Sequence, residues 1–286
     1  MLQVTGLTKY YGKICGVHDL DFEIAAGEIF GLVGPDGAGK STALRCIMGQ
    51  IAPNGGEVLL DEHLFDRRTP KRRAVVGYLP GAITLYDGMR VGDVIRYHGA
   101  FYKNIDETRL GRLIRRLDID MTKKTDEISA EELKKVGIAL ALMHRPKLIV
   151  LDEPALGLAP MAQETLFEIL REEKQRGAAI LYASANLGEV RRLCDRAAVL
   201  RAGRIVLMDE IANVVNGFVH LVSVECEDPA IAQRLGGMAI ERKGEMTRFL
   251  YEGQPDELIK ALSGLHVKRL LIEEPPLEDV MEQYYQ

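Results

Sequence analysis

Two stretches of this chain carry reactive side chains at spacings that point to one chemistry. Residues 34–42 read Gly-Pro-Asp-Gly-Ala-Gly-Lys-Ser-Thr, three glycines ahead of a lysine and two hydroxyls. Glycines at Gly34, Gly37 and Gly39 permit positive-φ turns that aim successive backbone N–H groups into one concavity, and a helix starting there adds its dipole to that anion site. Lys40 then reaches the terminal phosphates of a bound nucleotide, and the Ser41 hydroxyl is placed for Mg²⁺. The second stretch, Pro146 to Pro154, is an apolar run that ends in two carboxylates, Asp152 and Glu153. An apolar strand covered on both faces binds ligands beyond its carboxyl end, so Asp152 is expected to face the metal and Glu153 to activate water.

The elements that must hold these groups follow from the pattern on either side. Ile29 to Val33 is an apolar strand and Thr42 to Met48 a helix-like run, the order a phosphate loop requires. Before them, Leu2–Thr5 and Leu20–Ile24 alternate as antiparallel strands. Tyr11, ahead of Gly12, places an aromatic face upstream of the loop, where a ring either packs or stacks on an adenine. Glu57–Leu60 and Val75–Leu79 read as strands flanking the basic stretch Arg67–Arg73, taken as a solvated connection. From 91 to about 142 the period turns helical, with Leu110, Leu113, Ile114 and Leu117 forming one stripe. Strands follow at 178–183 and 197–200 with a helix at 187–194 between them, then a hairpin at 203–206. Such alternation predicts a mainly parallel α/β core.

The composition shifts near Asn216 and Gly217. Strand (221–226), helix (229–235), strand (238–242), strand (247–251), helix (256–262) and strand (267–272) form the split β-α-β-β-α-β order, which predicts a small ferredoxin-like α+β domain over 217–286 after a larger domain over 1–216. A last helix is expected at 277–285. The totals exclude several classes of function. With 286 residues, 47% apolar and 28% charged, the chain is an ordinary globular one, and its net charge of −5 argues against nucleic acid as a partner. Cys15, Cys46, Cys194 and Cys226 lack metal or redox spacing and are expected to be buried thiols in a reducing cytosol. The start, Met1 to Val4, carries no signal pattern, and no apolar run approaches 18 residues, so a soluble chain is expected.

Together these residues resemble the nucleotide-binding subunit of an ATP-binding-cassette (ABC) transporter, and the resemblance runs over essentially the whole chain. Residues 34–42 are similar to the family's Walker A, and Leu148 to Glu153 to its Walker B with the adjacent catalytic glutamate. It implies a P-loop NTPase core with an antiparallel β subdomain and a helical insert, and an ATPase using ATP and Mg²⁺. Nucleotide contacts are implied at Tyr11, Val17, Gly34, Asp36, Gly37, Ala38, Gly39, Lys40, Ser41 and Thr42, metal contacts at Ser41 and Asp152, and catalysis at Glu153 and Lys40. The tail, Glu273 to Val280, is similar to the ending of subunits that drive ABC-2-type exporters. Such subunits pair, with themselves or with a paralogous subunit, beneath a membrane-spanning permease on the inner face of the cell membrane.

Four motifs depart from the family's pattern. The signature Leu-Ser-Gly-Gly-Gln falls on Ile128, Ser129, Ala130, Glu131 and Glu132. Gly81 stands at the Q-loop glutamine, Ala185 at the switch histidine and Ala159 at the D-loop aspartate. In the family the signature helix offers a bare N-terminus to the γ-phosphate on the opposite subunit. Here Ser129 and Glu132 are spaced as a capping box that satisfies that end internally. Glu131 adds a charge that, at about 5 Å and an effective dielectric near 20, repels a phosphate charge by roughly 3 kcal/mol unless its side chain turns into solvent. That exceeds the few tenths to about 1 kcal/mol of an exposed helix end. Slow hydrolysis remains chemically open because Glu153 is present. Alternatives are a degenerate cassette that binds nucleotide for assembly or regulation, and a soluble ATP-dependent switch with no membrane partner.

Overall fold

The computed structural model describes residues 1–66, 74–103, 105–211, 219–226, 228, 230–253 and 255–273. The basic stretch Arg67–Arg73, the junction at Asn216 and Gly217, and the expected helix at 277–285 lie outside the described residues. The chain divides into two compact units, Met1–Met208 and Asp209–Gln286.

In the first unit, β1 (Leu2–Tyr11) and β2 (Ile14–Ile24) pair antiparallel, as the alternation predicts, and β1 also pairs with β4 (Gly55–Leu60). With β5 (His63–Leu64) they form a sheet in the order β2-β1-β4-β5. The second sheet has the order β10-β9-β3-β8-β7-β6, from β3 (Ile29–Val33), β6 (Val76–Leu79), β7 (Leu148–Asp152), β8 (Ala179–Ser184), β9 (Arg196–Arg201) and β10 (Arg204–Glu210). Strands β9, β3, β8, β7 and β6 run parallel. All residues of β3, β7 and β8 are buried, the mark of strands covered on both faces. Phe22 of the first sheet stacks on Phe30 of the second at 5.2 Å, inside one shared core.

Helices α1 (Lys40–Ile47), α5 (Pro160–Gln175) and α6 (Leu187–Leu193) follow β3, β7 and β8. The helical insert comprises α2 (Val91–Gly99), α3 (Glu107–Arg116) and α4 (Ala130–Leu142). It has a small core of its own around Val91, Ile95, Leu110, Val136 and Met143. Arg109 of α3 ties the insert to α5 by an ion pair with the buried Glu173, and donates 2.7 Å to the Leu142 carbonyl. Arg176 serves the same carboxylate from its other side, its Nε donating at 2.9 Å.

The second unit contains β11 (Val219–Cys226), α7 (Ile231–Arg234), β12 (Met238–Lys243), β13 (Met246–Glu252), α8 (Pro255–Leu262) and β14 (Val267–Glu273). The sheet order β12-β13-β11-β14, with antiparallel pairs throughout, is the ferredoxin-like arrangement that the sequence order predicts. Val222, Val224, Phe249 and Tyr251 line one face of the sheet and pack with Ile231 and Leu258 of the helices. Cys46, Cys194 and Cys226 are buried, but Cys15 is exposed, contrary to expectation. It lies near the start of β2, an edge strand of its sheet among the described residues.

Candidate functional site: a phosphate loop facing an acidic strand end

The loop between β3 and α1 owes its shape to glycine, though not in the way the spacing alone suggests. Gly37 and Gly39 have φ of 79° and 109°, the left-handed conformations expected of them. Gly34 does not. It is required by close packing, because a Cβ there would overlap the Leu200 carbonyl oxygen. The neighbouring strand end therefore fixes the loop from below, and the Ala38 carbonyl accepts from the Gly203 N–H at 2.9 Å. Helix α1 starts on Gly39 with no side-chain cap and no acidic residue in its first turn. Among the described residues its first N–H groups have no side-chain cap, which is the condition for binding an anion.

Lys40, 6% exposed, donates to the carbonyls of Gly34 at 2.6 Å and Pro35 at 3.2 Å, and its ammonium lies 3.2 Å from Glu153 Oε1. That last contact is an ion pair between a buried ammonium and a largely buried carboxylate. It joins the two stretches singled out above, 113 positions apart in sequence. Glu153 sits at φ 47°, unusual for a residue with a side chain. Its N–H donates to the Ala183 carbonyl at 2.9 Å, and its own carbonyl accepts from Lys134 at 2.9 Å. Burial pushes its carboxyl above the usual range, while Lys40 and the Ala185 N–H pull it back.

Asp152 is 1% exposed, and neither of its carboxylate oxygens has a hydrogen-bond partner among the described residues. Buried carboxylate oxygens are rarely left so, and hard oxygen donors of this kind suit Mg²⁺. Gly81 lies against it: a Cβ at that position would be 3.2 Å from Asp152 Oδ2. The position where the resemblance expects a glutamine thus does adjoin Asp152, but glycine brings no polar group to it.

The remaining predicted residues fall around the loop. Tyr11 is 46% exposed, with Lys9 Nζ 5.4 Å from its ring centroid. A Cβ on Gly16 would be 3.0 Å from the Tyr11 ring and 2.9 Å from the Thr42 methyl, so ring and loop flank one glycine. Asp36 is exposed and Ser41 and Thr42 half-buried, whereas the side chains of Val17 and Ala38 are turned into the core. Ala159 caps α5 with no side-chain bond. Below Ala185, Tyr182 and Ser184 both donate to Glu189 Oε2, at 2.8 and 2.9 Å.

At the signature position the capping box is complete. Ser129 Oγ accepts from the Glu132 N–H at 3.2 Å, and Glu132 accepts from the Ser129 N–H at 2.8 Å. Glu132 also accepts from Lys123 at 2.7 Å, and these bonds hold its carboxyl down to about 2. Glu131 does not turn freely into solvent but pairs with Lys135 one turn on, at 3.2 Å. Part of its charge is thereby compensated, and the repulsion derived from sequence is reduced. Nothing in the local sequence pattern marks Lys134, Gly16 or Glu189 as a site residue. Lys134 stands among the apolar Val136, Ile138 and Ala139, and only its burial in the fold separates it from the other lysines of the helix.

Residues 17–156 match the family model described as ABC transporter. The Nod factor export ATP-binding protein I of Rhizobium johnstonii is 31% identical over 289 residues, covering 98% of this chain and 93% of the relative. The chain belongs to the ABC transporter ATP-binding family. The corresponding Bradyrhizobium diazoefficiens protein is 32% identical over 98% of this chain and 94% of its own length. An uncharacterized ABC transporter ATP-binding protein of Synechocystis is 31% identical over 93% of this chain and 77% of its own length. Among solved structures, an ATP binding subunit of an ABC transporter superposes with a TM-score of 0.70 at 28% identity, covering 75% of this chain and 91% of that one. A dimeric bacterial ABC transporter cassette superposes with a TM-score of 0.67 at 21% identity, over 74% of this chain and 99% of its own, and shares the fold. As a member of this family, the chain is an ATP-binding, ATP-hydrolysing transporter subunit. Among the described residues, no helix is long and apolar enough to cross a membrane.

Proposed function

We propose that this cassette powers an ABC-2-type exporter, docked on a membrane-spanning permease at the inner face of the membrane and paired with a second cassette, its own copy or a paralogue. The relatives named for Nod factor export, aligned over 98% of the chain, support the exporter reading. What carries the chemical reading is the contact between Lys40 and Glu153 beside the bare start of α1. In it Tyr11 stacks on the base, with the Val17 and Asp36 backbones beside it. Residues 34 and 37–42 wrap the phosphates, and Lys40 exchanges its loop carbonyls for phosphate oxygens. Ser41 and Asp152 hold Mg²⁺, which supplies charge neutralisation on the phosphate oxygens when bound. Glu153, released from Lys40, orients and deprotonates the attacking water.

Turnover is slow in this reading. Ala185 offers no side-chain donor to the transferring phosphate, and loss of one such donor costs about 10² to 10³ in rate. A second reading, a cassette that binds nucleotide for assembly and does little chemistry, is favoured by one observation: the signature helix is capped by its own Ser129 and Glu132. Vanadate-sensitive ATPase activity on purified protein separates the two. Turnover abolished by Glu153→Gln supports the exporter motor, whereas tight ATP binding without turnover supports the second reading. Co-purification with a multi-span protein from detergent extracts tests the permease.

A further inference from the structure

We propose that Lys134 is a positioning residue for hydrolysis: from helix α4 it grips the Glu153 carbonyl and so sets the left-handed turn that presents the Glu153 carboxylate to the phosphate loop. This rests on the reading of Glu153 as the catalytic carboxylate. A residue with a side chain is strained in the left-handed region, and persists there only where the surroundings over-determine it. At Glu153 the main-chain constraints come from both sides of the residue. The N–H is fixed by the Ala183 carbonyl at 2.9 Å, which continues the β7–β8 ladder. The carbonyl is fixed by Lys134 Nζ at 2.9 Å, from a different layer of the fold.

The lysine is itself rigidly placed. It is 8% exposed, and α4 approaches β6 so closely that a Cβ on Gly77 would overlap the Ala141 carbonyl. Strand β6 is the parallel neighbour of β7, so the helix, the strand carrying Asp152 and the turn at Glu153 share one frame. Burial lowers the Lys134 ammonium from its ordinary value, and the Asp152 and Glu153 carboxylates oppose that effect. The ammonium therefore sits within electrostatic reach of both acids. Because Gly81 brings no polar group to Asp152, Lys134 is a polar link from the helical insert to this acidic pair. Lys40 is shared with the phosphates once nucleotide is present; Lys134, bonded to a main-chain oxygen, is not.

Hydrogen exchange read by mass spectrometry on the full chain tests the contact. Lys134→Met keeps an unbranched stem of similar bulk, and Lys134→Arg keeps the charge and the donors. In the methionine variant, peptides covering 152–156 should exchange at least fivefold faster than in the wild type, with β3 and β8 peptides unchanged, and arginine should restore protection. In parallel, kcat should fall by about 10²-fold, the effect of an ångström-scale misplacement, with KM within twofold. Affinity for a fluorescent ATP analogue without Mg²⁺ should also stay within twofold. Unchanged exchange at 152–156, equal acceleration across all strands, or no rescue by arginine would each overturn the proposal. Absence of turnover in the wild type would instead sink the reading of Glu153, while the exchange result still decides whether Lys134 holds the turn.

Discussion

Helix α1 begins on Gly39, with no side-chain cap and no acidic residue in its first turn, whereas α4 begins on Ser129, whose hydroxyl and Glu132 partner close a complete capping box with Glu131 alongside. One helix end is left open and electropositive, and the other is closed and carries two carboxylates. The same dipole underlies both, and what differs is whether side chains satisfy it before a ligand arrives. An anion site is therefore made as much by omission as by addition. The helix start proposed to bind nucleotide is kept open, and the helix start at the signature position is closed on itself.

The sharpest way to break this comparison is to remove the chemistry from the open half. Glu153→Gln should abolish vanadate-sensitive turnover while leaving ATP bound, and residual hydrolysis above a tenth of the wild-type rate would dismiss Glu153 as the catalytic carboxylate. Lys40→Ala should weaken nucleotide binding by about 2–5 kcal/mol, thirtyfold or more, in an isothermal titration. Unchanged affinity there would count against the whole loop. Gly34→Ala tests the steric reading, since a methyl driven against the Leu200 carbonyl should cost about 1–3 kcal/mol and lower Tm by roughly 3–9 °C.

The closed half is expected to respond more mildly. Ala130→Gly with Glu131→Gly, in a Glu153→Gln background, should raise ATP-driven dimerisation about fivefold in sedimentation, an effect near 1 kcal/mol because Lys135 already offsets part of the Glu131 charge. An unaltered dimer fraction would show that Glu131 is not repulsive. The smallest effect is in pH. Glu132 titrates near 2 in the folded chain, below its ordinary value of 4.5, so its stabilisation is present above about pH 4.5 and is lost as pH falls toward 2. Partly exposed as it is, it should contribute no more than about 1 kcal/mol. Denaturant midpoints at pH 6 and pH 3 should differ less in Glu132→Gln than in the wild type.

Much of this was legible in the sequence because it depends on local spacing. The phosphate loop, the acidic end of β7, the capping box and the β-α-β-β-α-β order of the second unit are all patterns within a few dozen residues, where periodicity and turn chemistry act directly. What escaped depends on neighbours distant in sequence. Gly34 reads as a turn glycine, but its constraint comes from Leu200, which only the pairing of β3 with β9 brings near. Lys134 reads as one more lysine on an amphipathic helix until the strand order places α4 over the end of β7. Cys15 reads as a buried thiol because nothing in its flanks announces an edge strand. Glu131 and Lys135 stand four apart on one helix, a spacing at which opposite charges pair, so this contact is legible in the sequence.

The ion pair between Arg109 and Glu173 limits how freely such proteins can exchange parts. Glu173 is a buried acid near the C-terminal end of α5, the end whose dipole disfavours it, and it is held there by guanidinium groups from α3 in the insert and from Arg176. A helical insert grafted from a cassette without a basic side chain in register with Arg109 would leave that acid half-compensated inside the protein. Acceptor and graft would have to be chosen as a matched pair across this single seam, however well the rest of their surfaces agreed.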